Sequence, residues 1–284
     1  MNAVSEIAIL TPPLSDVSEL GLFGAMALLG VLQAGADPGY RYLRRLPAGG
    51  GGLAPHRALR HQIISALLEA GVLVHSARRR LRLDATLTDP EWDQSNLEDA
   101  DWTIYWSDTT RASLPRRLKE YLDDVELSMH NREVLIDAWT ALGKAECLAF
   151  GEHALATHRM DPKIAMVTES ALGPLLAQRS IGQACAHMWW GAKNVASSFL
   201  RHGGQSGLAE REMLRAITNA YDRSEGQGRQ APQFQRHSTI PLSTFASAFL
   251  AASRLGDAYW NAPISEAAID ERFLDSHPSI PPDH

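Results

Sequence analysis

From Leu114 onward, apolar residues recur every three to four positions in one segment after another, and this period constrains the fold more than any other feature of the chain. The longest run, Asn131 to His158, puts Leu135, Ala138, Trp139, Leu142, Ala145 and Ala149 on one stripe and predicts a long amphipathic helix. Residues 114 to 127 predict a shorter helix. Asp161 to Gln178 predicts another, kinked or broken where Gly173 precedes Pro174. Ser180 to Arg201 has an inner face of Ile181, Ala184, Met188, Val195 and Phe199, and two further helices are expected near 207 to 224 and 242 to 256. The polar segment EGQGRQAPQFQRHS between those two reads as a loop, and the end after Ala262, with Pro278, Pro281 and Pro282, reads as frayed. A mainly α fold follows.

The N-terminal third is organised differently. Ser15 begins a helical run through Val17, Leu20, Phe23, Ala27, Leu28 and Val31 that Gly35 and Pro38 end. Its uncharged core, Leu20 to Leu32, is short for a bilayer. Acids at 6, 16 and 19 precede it, with no Lys or Arg before Arg41, so it does not read as a signal peptide. The expectation is a cytosolic chain with no membrane segment. Tyr40 to Leu46 reads as extended, and four consecutive glycines at 49 to 52 form a connector without the Lys-Ser/Thr of a P-loop. His56 to Ala70 then predicts an amphipathic helix with Leu59, Ile63, Ala66 and Leu67 inward, capped by Gly71. Val72 to His75 and Arg80 to Leu83 are β-prone runs around a turn at 76 to 79, which predicts a hairpin.

Charge singles out the same region. Residues 40 to 83 hold nine arginines against the single acid Glu69, a net +8, whereas the whole chain carries -6 and the remainder therefore -14. A local basic field of this size attracts polyanions, and arginine suits bidentate phosphate contact. The same arginines could instead pair with acids of the remainder or of a partner subunit. The order of helix, capping glycine and basic hairpin resembles a winged-helix domain over roughly residues 13 to 90. That resemblance implies that Arg57, Arg60 and His61 face the major groove, while Arg41, Arg44, Arg45, Arg78, Arg79, Arg80 and Arg82 meet phosphates. One departure stands out: Pro38 and the glycine run occupy the place of the usual middle helix.

The expected layout is a winged-helix-like basic module over 1 to 95, an acidic connector and helix over 96 to 127, a helical domain over 128 to 262 and a tail from 263 to 284. The connector region places Trp92, Trp102 and Trp106 among seven acids, which suits wrapping through the aromatics and invites the idea that its carboxylates cover the arginine surface. The helical domain would serve a homodimer or a protein partner. No nucleophile elbow, dinucleotide fingerprint or zinc-protease motif occurs, and no cofactor or metal is expected. Cys147 and Cys185 read as buried thiols. Two polar groupings are candidates for chemistry: Glu146, His153 and His158 with His187, and the face His187, Trp190, Lys193, Asn194 and Arg201, the last with His202, Arg236 and His237 as a shared anion-binding surface. Alanine- and arginine-rich, lysine-poor usage suits a GC-rich bacterium. DNA binding in a regulatory or mobile-element setting is the leading expectation. The alternatives are an assembly factor whose arginines dock an acidic partner, and an enzyme with a site between helices 131 to 158 and 180 to 201.

Overall fold

A computed structural model describes residues 13–43, 52–75, 102–202, 206–227, 232–237 and 240–276. The fold is mainly α with one small sheet. Its hub is α5, Met129–Thr157, begun by Ser128, whose hydroxyl accepts from the Asn131 N–H at 3.1 Å. Leu135, Ala138, Trp139, Leu142 and Ala145 are buried as the stripe requires, while its last member, Ala149, is half-buried. Burial also takes in Glu146, Cys147, Phe150 and Gly151, because helices pack on more than one side of α5. Trp139 anchors its ring nitrogen on the Tyr259 carbonyl at 3.0 Å.

Two more helices of 22 residues each, α7 (Ile181–His202) and α8 (Ser206–Gln227), pack on one another and, through α7, on α5. Gly191 permits their close approach: a Cβ there would lie 2.7 Å from Met213 Sδ. The first half of α7 is enclosed, but its last turns are not, and Phe199 is 46% exposed where the periodicity predicts an inward residue. The helix outruns the layer it packs against.

The N-terminal region comprises a short 3-10 turn at Val17–Leu20, then α1 (Gly21–Gly35), β1 (Tyr42–Leu43), α2 (Arg57–Glu69), β2 (Leu73–His75) and β3 (Trp102–Ile104). Gly71 at φ +70 ends α2, and the Gly71 and Val72 amides bond back to Leu68 and Leu67, so the capping glycine read from sequence is in place. All three strands are antiparallel in the order β1–β3–β2, with Leu43 and His75 both opposite Trp102. Arg80 to Leu83, expected as the partner of β2, lies outside the described residues, and the partner observed is β3, 27 residues beyond the end of β2.

Val17–Gly35 is, among the described residues, the one stretch long and apolar enough to cross a membrane. Every residue from Ala25 to Leu32 within it is buried, chiefly against α9 (Thr244–Ser253) and α4 (Leu114–Asp123), which is the packing of a core helix. Gly30 makes the α1–α9 crossing possible, since a Cβ would sit 3.1 Å from the Phe245 backbone. Thr244 Oγ1 donates to the Gly30 carbonyl at 2.7 Å, and the Thr244 and Phe245 amides donate to the Gly52 and Leu53 carbonyls, each at 3.1 Å. The last glycine of the connector is thus a buried docking point for a helix nearly 200 residues away in sequence. One continuous apolar core runs from Val17 to Phe273.

Two other expectations change. Asp161 caps a 3-10 helix, Pro162–Thr168, and α6 begins at Glu169 and runs to Leu176, so the break falls at Thr168 and Pro174 sits inside α6. Beyond α10 (Ala258–Asn261), Glu266–Ser276 forms α11 rather than a frayed end. Ser265 accepts from the Ala268 N–H at 3.3 Å, Ile269 and Phe273 are buried, and Asp270 binds Arg132 at 2.8 Å. The domain boundary expected at 95 lies outside the described residues, as do Arg44, Arg45, Arg78, Arg79, Arg80, Arg82 and Trp92.

Candidate nucleic-acid interface

At the edge of the sheet, the placement of Arg41 begins with Asp37. Its carboxylate accepts the N–H groups of Tyr42 and Arg41, both at 2.7 Å, and of Gly39 at 3.2 Å. Burial alone would raise this carboxyl; the three amide donors outweigh it and hold it below the usual carboxylate range. The turn so fixed leads into β1 and leaves the Arg41 side chain 62% exposed, with only a loose 3.8 Å pair to Asp108. Arg111, at the end of α3 (Asp108–Arg111), does the opposite. It donates to the carbonyls of Tyr40 at 3.1 Å, Ile104 at 2.7 Å and Trp106, joining the turn before β1 to the end of β3. Trp102 and Trp106, both buried, lie under this corner, so these connector tryptophans serve the sheet.

At the start of α2, His56 is the cap. Its Nδ1 accepts from the Ala58 N–H at 3.2 Å, so Nε2 carries the proton and donates to Glu152 of α5 at 3.3 Å. His56 is 4% exposed, so the first turn of α2 is turned toward α5 and an acid already sits at its positive end. Of the three residues expected to face a groove, Arg57 is exposed, His61 is half-buried and Arg60 is buried. Arg41 and Arg57 are therefore the exposed arginines of the basic region among the described residues. At the first turn of α2 a cleft of about 390 Å³ separates α2 from α5 and α6, lined by His56, Gln62, Asp137, Lys144 and Glu169 among others. Its mixed charge suits neither a phosphate nor a bare cation.

The polar groups of the helical body are drawn together in a way that spacing did not indicate. Glu146, 1% exposed, is met by Arg236 from the extended segment 232–237: Nη1 donates to Oε2 at 2.8 Å and Nη2 lies 2.7 Å from Oε1. The Tyr259 hydroxyl donates to Oε1 at 3.1 Å, and the guanidinium stacks 4.6 Å above the Trp260 ring. Burial pushes the Glu146 carboxyl up while Arg236 works against that; burial and then Glu146 raise Tyr259 well above its ordinary range. With its lone pairs so occupied, this carboxylate is a lock for the segment and not a free base. Gly182 allows the segment to lie flat, since a Cβ there would be 2.5 Å from the Phe234 carbonyl oxygen.

The His153 ring of the first grouping lies 4.5 Å from that of His237, tilted to it by 43°, and His158 lies 5.2 Å from the Trp189 ring, so Glu146 and the two histidines face different neighbours. In the second grouping Trp190, Lys193, Asn194 and Arg201 are exposed, but His187 is 7% exposed, and burial, then Arg179, push its pKa down to about 4. Arg236 is committed to Glu146. Among the described residues no three His, Cys, Asp or Glu side chains come together as metal ligands, and Cys147 and Cys185 are buried free thiols. Comparison with protein-family models, curated proteins and solved structures finds no match for this chain.

Proposed function

We propose that this chain binds duplex DNA by phosphate contacts from its basic N-terminal region, carried on a winged-helix-like frame. The observation that carries the reading is the chain order: helix, strand, helix, strand, a long connection and a strand, closing an antiparallel sheet with β3 in the middle. In that frame the connection between β2 and β3 holds the place of the wing, and by sequence it opens with Arg78, Arg79, Arg80 and Arg82. Arg41 and Arg57, both exposed, flank the same module. Because α2 turns its first residues toward α5, the reading favours backbone contact over recognition of base edges, and the helical body serves to brace the module.

Fluorescence anisotropy with a random-sequence duplex, titrated over a series of salt concentrations, tests this. Binding should fall steeply with salt, and the variant R78A/R79A/R80A should lower the slope of log K against log salt by about 2.7, the share of three phosphates. Absence of binding at low salt, or an unchanged slope in the variant, would refute the proposal.

One observation favours a second reading. Glu152 already supplies α2 with the negative partner that a phosphate would otherwise provide, as expected if the arginine region docks a protein and not a nucleic acid. A nucleic-acid-free complex with an acidic partner on size-exclusion chromatography, destroyed in the same triple variant, would establish that reading.

A further inference from the structure

On the molecule's C-terminal side a groove of about 750 Å³ runs between the α4–α5 connection and α11. Val125, Leu127, Phe273 and Leu274 give it an apolar floor and wall. Leu274 is 73% exposed. A side chain of this size left in water on the wall of an apolar groove marks an interaction surface more often than chance decoration. The groove has a fixed shape, because specific bonds tie the elements that line it to one another. Arg132 pairs with Asp270 at 2.8 Å across α5 and α11. Arg254, whose φ of +57 places it in the left-handed region, donates to the Asp123 carbonyl at 2.7 Å and lies 4.8 Å over the Phe273 ring.

The charge of the rim selects the occupant. Asp123, Asp124 and Glu126 are exposed, and among the described residues their carboxylates pair with no cation. The two arginines of the groove are already engaged, one by Asp270 and one by a carbonyl and a ring. An anionic or purely apolar ligand would leave three carboxylates facing it without compensation. A cationic segment with bulky aliphatic side chains satisfies both parts: the aliphatic groups cover Leu127 and Leu274 while the cations meet the rim.

We infer that this groove docks a cationic, leucine-bearing segment of a partner protein. The interface is separate from the basic module, so it stands whether or not DNA binds there.

The test uses the full chain and a fluorescein-labelled peptide, Leu-Arg-Arg-Leu-Arg-Arg-Leu, followed by anisotropy. Saturable binding is expected. The variant D123N/D124N/E126Q should weaken it about tenfold or more, chiefly by removing electrostatic steering and rim contacts. L274S, at a position too exposed to unfold the chain, should also weaken it several-fold, and the peptide with alanine for leucine should bind as poorly to the unaltered chain. Equal affinity for the unaltered chain and both variants would mean that the peptide adsorbs elsewhere and would overturn the inference, as would no binding at all. Self-association of the chain that both variants abolish would instead give the groove to a second copy, and would equally overturn the assignment to a partner protein.

Discussion

Arginines in the N-terminal module and arginines in the helical body do different work, although the residue is the same. In the body three are built into the packing: Arg236 enters a buried pair with Glu146, Arg132 binds Asp270, and Arg254 binds a carbonyl and an aromatic ring. In the module Arg41 has one loose acid 3.8 Å away and Arg57 stands exposed at the start of α2. The body carries enough acid to match its cations; residues 40 to 83 do not, with Glu69 alone against nine arginines. Positive charge without local compensation is poor at stabilising a fold and good at holding a polyanion. The contrast is what the proposed reading rests on: charge left open in the basic region, and charge engaged in packing in the helical body.

The largest effect should come from breaking the body's arginine lock. Arg236→Ala leaves a carboxylate buried without its cation and should cost about 3–5 kcal/mol in urea denaturation. Glu146→Gln should cost less, because the Arg236 side chain is 22% exposed and keeps some water. A loss below 1 kcal/mol for Arg236→Ala would erase the distinction between the two regions.

Next in size is a pH effect confined to the body. His187 has its pKa pushed down to about 4 in the fold, against an ordinary value of 6.5, so the unfolded chain takes up the proton first as pH falls. Stability should then be full above pH 6.5 and decline between 6.5 and about 4, by as much as about 3 kcal/mol from this residue. His187→Gln should flatten that part of the pH profile relative to the unaltered chain, as read by denaturation midpoints.

The smallest change in stability is expected in the module. Arg41→Ala and Arg57→Ala should each shift stability by no more than about 0.5 kcal/mol, as for surface positions, yet each should weaken duplex binding and reduce its salt slope by about 0.9. Destabilisation on the scale of Arg236→Ala would show that these exposed arginines are structural after all.

Much of the architecture is legible in one dimension. The stripe on α5, the helix at 57 to 69 and the glycine after it all depend on interactions within four residues, which sequence spacing records directly. The misplaced features depend on partners far away. β3 lies in an acidic, tryptophan-bearing stretch, and a three-residue strand has almost no periodicity of its own; only its pairing with Tyr42–Leu43 on one side and Leu73–His75 on the other makes it a strand. α11 was overlooked because the prolines beyond it dominate the composition, while its two anchors, Ile269 and Phe273, form a stripe only one turn long. The direction of α2's first turn was out of reach as well. Nothing local links His56 to Glu152, 96 residues later.

For the candidate interface the division is sharper. The concentration of arginine between residues 40 and 83 is a property of composition, and no folding could alter its sum. Which of those charges meets solvent is a property of packing: Arg57 does and Arg60 does not, although three-residue spacing makes them neighbours on α2. The same holds for Glu146 and Arg236, 90 residues apart and unremarkable in sequence, which become a lock once burial makes each the other's compensation for lost water. Sequence by itself determined the helical class, the glycine that caps α2 and the charge asymmetry, since these are local or additive. The tertiary structure alone decided the pairings, because desolvation acts on whichever groups the fold brings together.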